Sequence, residues 1–307
     1  MTRYLLQRLL QTIPTVLLVS LLVFLMLYLI PGDPAEIFLG ERQTTPEQLE
    51  IIREQMGLNR PMMVQYFDYI WKALQGDLGN SLNNRRPVLN EILIRLPSTL
   101  ELTFAALLIS TVVGISIGVI AALRHNTIVD TLAMMLALVG ISMPVYWSSL
   151  LLIVFLSVNL RLLPPIGQGG LDRLIMPALA LGLLSAGSLA RLVRSSMLEA
   201  LAQEYVLTAR SKGLPSRRVV FTHAFRNALI PVITILGLTF GTLLSGAVLT
   251  ETIFARLGIG RMYVEAILNK DYTLVQGTTL FLALAYVIIN IIIDLLYAYA
   301  DPRIRYD

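Results

Sequence analysis

The 307-residue chain contains no cysteine. This excludes a disulfide framework, cysteine-ligated zinc, iron–sulfur clusters and a thiol nucleophile, and leaves the redox compartment open. Histidine is nearly as scarce: His125 and His223 stand far apart, with no metal-ligand spacing and no H-E-x-x-H, which argues against a metalloprotease. No G-x-x-x-x-G-K-[ST] phosphate loop occurs, so the chain has no ATP site of that kind. Charge is short as well. Lys+Arg number 24 and Asp+Glu 20, or 14% of the chain, where an average soluble protein carries about 25%.

The charges that are present are unevenly spread. Six uncharged stretches, Leu9–Gly32, Leu102–Leu123, Thr131–Leu160, Leu174–Ala190, Asn227–Thr250 and Tyr272–Ile293, occupy 139 residues and leave all 44 charges in the other 168. A helix needs roughly 20 mainly apolar residues to cross a bilayer, so the pattern predicts an all-α membrane protein with six spans. Arg3 and Arg8 before the first run resemble a secretory signal, but the run is too long and lacks a small-x-small cleavage site, and reads as a retained helix. The net charge of +4 reflects topology here rather than an affinity for nucleic acid, since Lys and Arg collect in cytoplasmic loops.

Six spans put both termini on one side. With the N-terminus inside, the 24 basic residues divide evenly, but seven of the outer ones lie in the long segment after the first span. Loops beyond about 60 residues cross largely regardless of charge. Discounting them leaves twelve inside against five outside, and both termini are expected in the cytoplasm. The expected organisation is then residues 1–32 as N-terminus and first span, 33–101 as an outer segment, and 102–307 as a five-span core with an inner loop over 191–226.

The outer segment has local structure. Thr45 reads as an N-cap, Pro46 as the first helical residue and Gln48 as the other half of a capping box, followed by Leu49, Ile52 and Met56 at helical spacing and Gly57 as the stop. Residues 62–74, with Tyr66, Tyr69, Ile70 and Trp71, have the composition of an interfacial helix. The spans hold almost nothing ionisable and no base to accompany a serine, which disfavours both an enzyme and a proton-coupled transporter. They do hold Gly114 with Gly118, Gly182 with Ser185, and Gly237, Gly241 and Ser245, spacings that suit close helix packing. Pro144, Pro177 and Pro231 mark expected kinks or boundaries. Asn159, Gln276 and Asn290 are polar handles whose plainer role is interhelical hydrogen bonding.

The inner loop is the sharpest feature. Residues 197–212 have helical period with Leu198, Leu201 and Tyr205 on one face, Gly213 follows as a C-terminal stop with Pro215 beyond it, and Ser216 is placed to cap a second helix leading into the fifth span. Two short helices at a Gly-Leu-Pro corner make a knob. Its alternatives are docking to a protein, with Leu201, Tyr205 and Leu214 as apolar anchors, or lying on anionic lipid.

Glu204-Tyr205-Val206-Leu207-Thr208-Ala209-Arg210-Ser211-Lys212-Gly213-Leu214, followed by His223-Ala224-Phe225-Arg226-Asn227-Ala228-Leu229-Ile230-Pro231, resembles the EAA loop of bacterial ABC importer permeases, in the version found in the dipeptide, oligopeptide and nickel permease family. The likeness runs through Ile30-Pro31-Gly32-Asp33-Pro34, Gly57-Leu58 with Pro61, Gln65-Tyr66, Gly76-Asp77-Leu78-Gly79 with Ser81, Pro87-Val88, Glu251-Thr252-Ile253-Phe254, Gly258-Ile259-Gly260-Arg261, Asp271-Tyr272 and Asp301-Pro302-Arg303-Ile304-Arg305. Leu257 and Thr273 depart from it, standing where many members have proline.

The resemblance implies a type I importer permease fold in the bacterial inner membrane. It implies a coupling loop, here Glu204, Tyr205, Ala209, Arg210, Lys212, Gly213 and Leu214, that inserts into a cleft on an ATP-hydrolysing subunit. The implied partners are a second homologous permease, two ATP-binding subunits that hold ATP and Mg, and a periplasmic or lipid-anchored solute-binding protein. This chain itself would carry no cofactor, catalytic residue or metal site. Ala209 is expected to be small so that the knob can seat in the cleft. The absence of soft metal ligands in the spans tilts the cargo toward peptide over nickel. A secondary transporter acting alone and a scaffold that recruits an ATPase are the other readings.

Overall fold

Apolar runs cross a membrane as helices because the backbone must satisfy its own N–H and C=O groups there. The structure, a computed structural model, describes residues 2–29, 46–56 and 58–300. Its elements are α1 (Thr2–Leu29), α2 (Pro46–Met56), α3 (Met62–Leu74), α4 (Val88–Leu123), α5 (Ile128–Ser142), α6 (Val145–Leu152, running on as a π-helical segment Ile153–Asn159), α7 (Leu171–Leu201), α8 (Glu204–Ser211), α9 (Phe225–Ile253), α10 (Ile259–Leu268) and α11 (Tyr272–Ala300). Among the described residues the extended pairing is an isolated bridge between Asn80 and Pro87.

Four helical runs are long and apolar enough to cross a membrane: Val88–Leu123, Leu171–Leu201, Ser216–Ile253 and Tyr272–Ile293. α5 and α6 supply a fifth span if counted together, although they are bent by 104°. The first expected span is represented by a shorter apolar stretch, Leu10–Met26. The expected start of the second span at Leu102 lies well inside α4, which begins at Val88 and is 36 residues long. Pro144 marks a helix boundary as expected, with Met143 and Pro144 both extended, the conformation that a residue before proline prefers. Pro177 and Pro231, by contrast, sit inside the unbroken α7 and α9. Packed neighbours can satisfy the backbone groups a proline frees.

The chain forms two compact units, Met1–Leu96 with Met262–Ile288, and Pro97–Arg261 with Ile289–Asp307. In the first, α3 turns its polar side to α1. Tyr66 Oη lies 2.8 Å from Ser20 Oγ, Tyr28 donates to Gln65, and Phe24 packs on the rings of Tyr66 and Tyr69. The opposite face shows Met63, Phe67, Trp71 and Leu74, all exposed at spacings of four, four and three, which suits an interfacial helix. Gln276 Nε2 donates to the Val23 carbonyl at 3.4 Å, the plainer of its two expected roles. α2 is helical from Pro46 to Met56. Thr45, Gly57 and the side chains of Gln48, Ile52 and Met56 lie outside the described residues.

In the second unit α7 is the central helix, packed on α5, α6 and α9. The small residues act as expected. A Cβ on Gly118 would stand 2.6 Å from the Ala190 carbonyl, and one on Gly187 would stand 2.3 Å from that of Ala137. These distances exclude any side chain and let α4 and α5 reach the α7 backbone. Gly114-Ile115-Ser116-Ile117-Gly118 also spells a G-x-S-x-G nucleophile pattern, but it lies in the interior of α4 rather than on a strand-to-helix turn.

Candidate functional site

The knob is built from the end of α7, α8 and the start of the run into α9. Its sequence suggested one helix over 197–212, and the structure corrects this. α7 ends at Leu201, Gln203 takes an extended conformation with ψ 149°, and α8 is a separate helix from Glu204 to Ser211. The break re-aims the chain so that Val206 and Ala209 reach a core made with Val193, Met197 and Ala200 of α7, Val119 and Ala122 of α4, and Ala228 and Val232 of α9. A straight helix would present only one of those faces, so packing overrides local period.

The far end of α8 follows the sequence closely. Gly213 has φ +74°. Its N–H donates to the Arg210 carbonyl at 2.9 Å, and the Leu214 N–H donates to the Ala209 carbonyl at 3.3 Å, the paired bonds of a Schellman stop. Leu214 and Ala209 then meet in the same core, the apolar contact that accompanies such a stop. Pro215, not Ser216, is the residue before the next turn. Ser216 is already helical, and no side chain caps that turn. Proline's fixed φ sets the extended entry, so a hydroxyl cap is not needed. The second helix is not uniform either, because Val219–Ala224 is π-helical before α9 begins.

The expected coupling residues separate into two groups. Glu204, Tyr205, Arg210, Lys212 and Gly213 are exposed, whereas Ala209 is buried and Leu214 is half-buried in the chain's own core. Leu201 packs against that core too, so of the three expected anchors Tyr205 alone stands clear. Ala209 packs inside the knob's own core. Leu207 and Phe221, both more than half exposed, are the apolar surface that the list of anchors missed. Leu207 falls between two inward residues, Val206 and Ala209, and the 100° step of a helix turns it outward.

Among the described residues, Asp271 and Glu251 of the other resembling motifs act as structural staples. Asp271, fully buried, accepts from Ser81 Oγ at 2.5 Å, from the Leu82 N–H at 3.0 Å and from the Leu274 N–H at 3.1 Å, joining the 76–83 loop to the start of α11. Glu251, also buried, accepts from the Gly260 N–H at 2.8 Å at the start of α10. A Cβ on Gly258 would overlap the Glu251 carboxylate and force it to shift. Arg256 is buried and donates to Glu101 at 2.8 Å, a group that hydropathy did not single out. Leu257, one of the two departures from the family pattern, donates its N–H to Gln168 Oε1 at 2.8 Å, a bond that proline cannot make.

A cavity of about 380 Å³ lies among α4, α5, α6 and α7, lined by apolar side chains apart from Ser148. It offers no charged group for the ends of a peptide, and we assign no substrate to it.

The fold is like that of chains from ABC transporters of known structure. The structure matches a chain from inward-facing conformations of the MetNI methionine ABC transporter at TM-score 0.59, covering 68% of this chain and 96% of that one at 18% identity. It matches a chain of an amino acid ABC transporter at TM-score 0.54, with 70% and 94% covered at 18% identity. At those identities the likeness is one of fold. Sequence resolves the family. The chain belongs to the binding-protein-dependent transport system inner membrane components, whose model matches residues 114–306, with the model of their N-terminal part matching 1–103. It is 40% identical to the dipeptide transport system permease protein DppB of Escherichia coli (strain K12), covering 100% of this chain and 99% of that protein. It is 43% identical, at the same coverages, to the di/tripeptide transport system permease protein DppB of Pseudomonas aeruginosa (strain UCBPP-PA14). The chain is thus a multi-pass membrane permease component, a class that is not itself enzymatic.

Proposed function

We propose that this chain is the membrane-spanning permease subunit of an ATP-driven importer in the bacterial inner membrane, and that its cargo is a di- or oligopeptide. The observation that carries the reading is end-to-end identity of about two residues in five with relatives described as dipeptide and di/tripeptide permeases. Those relatives favour peptide over nickel. α1 counts as the sixth span in this reading, and both termini lie in the cytoplasm. A second, homologous permease completes the central path, and a periplasmic or lipid-anchored binding protein delivers the peptide. Two ATP-binding subunits hold ATP and Mg.

Glu204, Tyr205, Arg210 and Lys212, with Leu207 beside them, are the surface of the knob that the ATP-binding subunit grips. Ala209, Gly213 and Leu214 keep the shape of that surface. Closure of the ATP-binding subunits on ATP moves the knob as a rigid body, because its core is continuous with α4, α7 and α9. The spans then tilt between inward- and outward-open arrangements. The test is uptake of labelled alanyl-alanine by proteoliposomes holding both permeases, the ATP-binding subunits and the binding protein. ATP-dependent uptake is expected. Uptake by this chain alone on an ion gradient, with no ATP-binding subunit present, overturns the proposal.

A further inference from the structure

We propose that Asp130, His125 and Arg194 form a latch that carries movement of the knob into α5, which makes Asp130 and Arg194 positioning residues for transport. The inference rests on the coupling reading above. Arg194 lies on α7, seven residues before its end. Its Nε donates to Asp130 Oδ1 at 2.6 Å and its Nη2 to Asp130 Oδ2 at 2.7 Å, a two-pronged pair that fixes geometry as well as attraction. Asp130 stands in the first turn of α5, with a side chain only 6% exposed.

The same carboxylate does more than pair with Arg194. Its Oδ2 accepts the Asn126 N–H at 3.1 Å, and Asn126, with φ +59°, is the left-handed residue of the turn between α4 and α5. His125 Nδ1 lies 3.3 Å from Asp130 Oδ2 and 3.1 Å from Arg194 Nη2, filling the third side of the group. One buried carboxylate therefore ties together the turn that leaves α4, the head of α5, and α7.

Two turns further along, α5 and α7 meet again where Gly187 lies against the Ala137 carbonyl. Seven residues separate the two levels on each helix, about 10 Å. The glycine contact alone permits sliding, because small smooth faces resist it poorly. The ion pair sets the register. Val193, next to Arg194, and Met197 reach into the knob core beside Val206 and Ala209. At its other end α5 runs into the 104° bend before α6 and presents Leu136 and Gly140 to the cavity. Movement of α8 thus passes through α7 and the latch to the wall of that cavity.

The experiment uses the complete transporter in proteoliposomes and measures ATP hydrolysed per labelled alanyl-alanine imported. Asp130→Asn and Arg194→Gln are expected to raise that ratio about fivefold or more, the low end of coupling between sites. The exchange of Asp130→Arg with Arg194→Asp is expected to recover part of the coupling. Arg194→Lys, which keeps the charge and loses the fork, should fall between. Normal ratios in Asp130→Asn and Arg194→Lys overturn the latch, as does a loss of hydrolysis and uptake in strict proportion to complex yield, which marks a purely structural pair. Gly213→Val, run in parallel, separates the two levels of the proposal. If it is uncoupled while the latch variants are normal, only the latch fails. If it too is normal, the coupling reading fails and the latch with it.

Discussion

Gly213 is the clearest residue at which backbone conformation can be tested apart from packing. Its φ is +74°, and nothing stands within 4 Å of where a Cβ would project. Gly213→Ala should cost about 1–2 kcal/mol from the left-handed conformation alone, and Gly213→Asn less, because asparagine visits that region readily. Gly213→Val should abolish uptake and ATPase stimulation while the permease still inserts, which parallel assays of expression and hydrolysis would read. Ala209 behaves differently because it is interior. Ala209→Leu should overpack the knob at a cost of about 1–3 kcal/mol, seen as a lower melting temperature of the purified complex. Leu207→Ser should leave stability within about 0.5 kcal/mol, as surface changes usually do, and still reduce ATPase stimulation. Sequence placed Gly213 correctly because a helix stop is a local property. The burial of Ala209 was not legible, because the side of α8 that faces inward depends on a break at Gln203 that no local signal marks.

Helix existence was legible in the uncharged runs, and helix ends much less so. α4 starts at Val88 rather than Leu102 because charged residues such as Glu91 and Arg95 are carried inside the helix as an i,i+4 pair, with Glu91 also near Arg86 and Asn84. Charge marks where a helix leaves lipid, not where it stops. Close contact between elements gives the next prediction. Gly118→Leu should separate α4 from α7, since even a Cβ would sit 2.6 Å from both the Ala190 carbonyl and Val193 Cβ; the expected result is loss of folded complex on size-exclusion chromatography. The staple at Asp271 offers a milder test. Asp271→Asn keeps the volume but no longer offers two accepting oxygens to Ser81, Leu82 and Leu274. Each donor stranded in a buried site costs about 1–3 kcal/mol. Limited proteolysis should cut within residues 76–87 well before the rest of the chain, and an unchanged cleavage pattern would argue against the staple.

The orientation of the whole molecule rests on charge counting, and the missing cysteines make it directly testable. A single cysteine can be introduced with no background labelling. Gln75→Cys should react with an impermeant maleimide on intact cells, and Ser211→Cys only after permeabilisation. The reverse pattern would invert the topology and move the knob away from the ATP-binding subunits. On the proposed reading power comes from an ATP-binding subunit, and the knob is where this chain has exposed charge on a rigid core.

Composition and pattern determined on their own that this is a helical membrane protein and that the knob helix stops at Gly213. Each of these follows from the cost of charge in lipid or from the conformation of one residue, and neither depends on a neighbour distant in sequence. Tertiary structure decided the rest. It broke the knob helix at Gln203, buried Ala209, half-buried Leu214, exposed Leu207, and brought Asp130 to Arg194 across 64 positions. These outcomes depend on which faces of α4, α7 and α9 meet, and packing free energy is shared among residues that no stretch of sequence holds together.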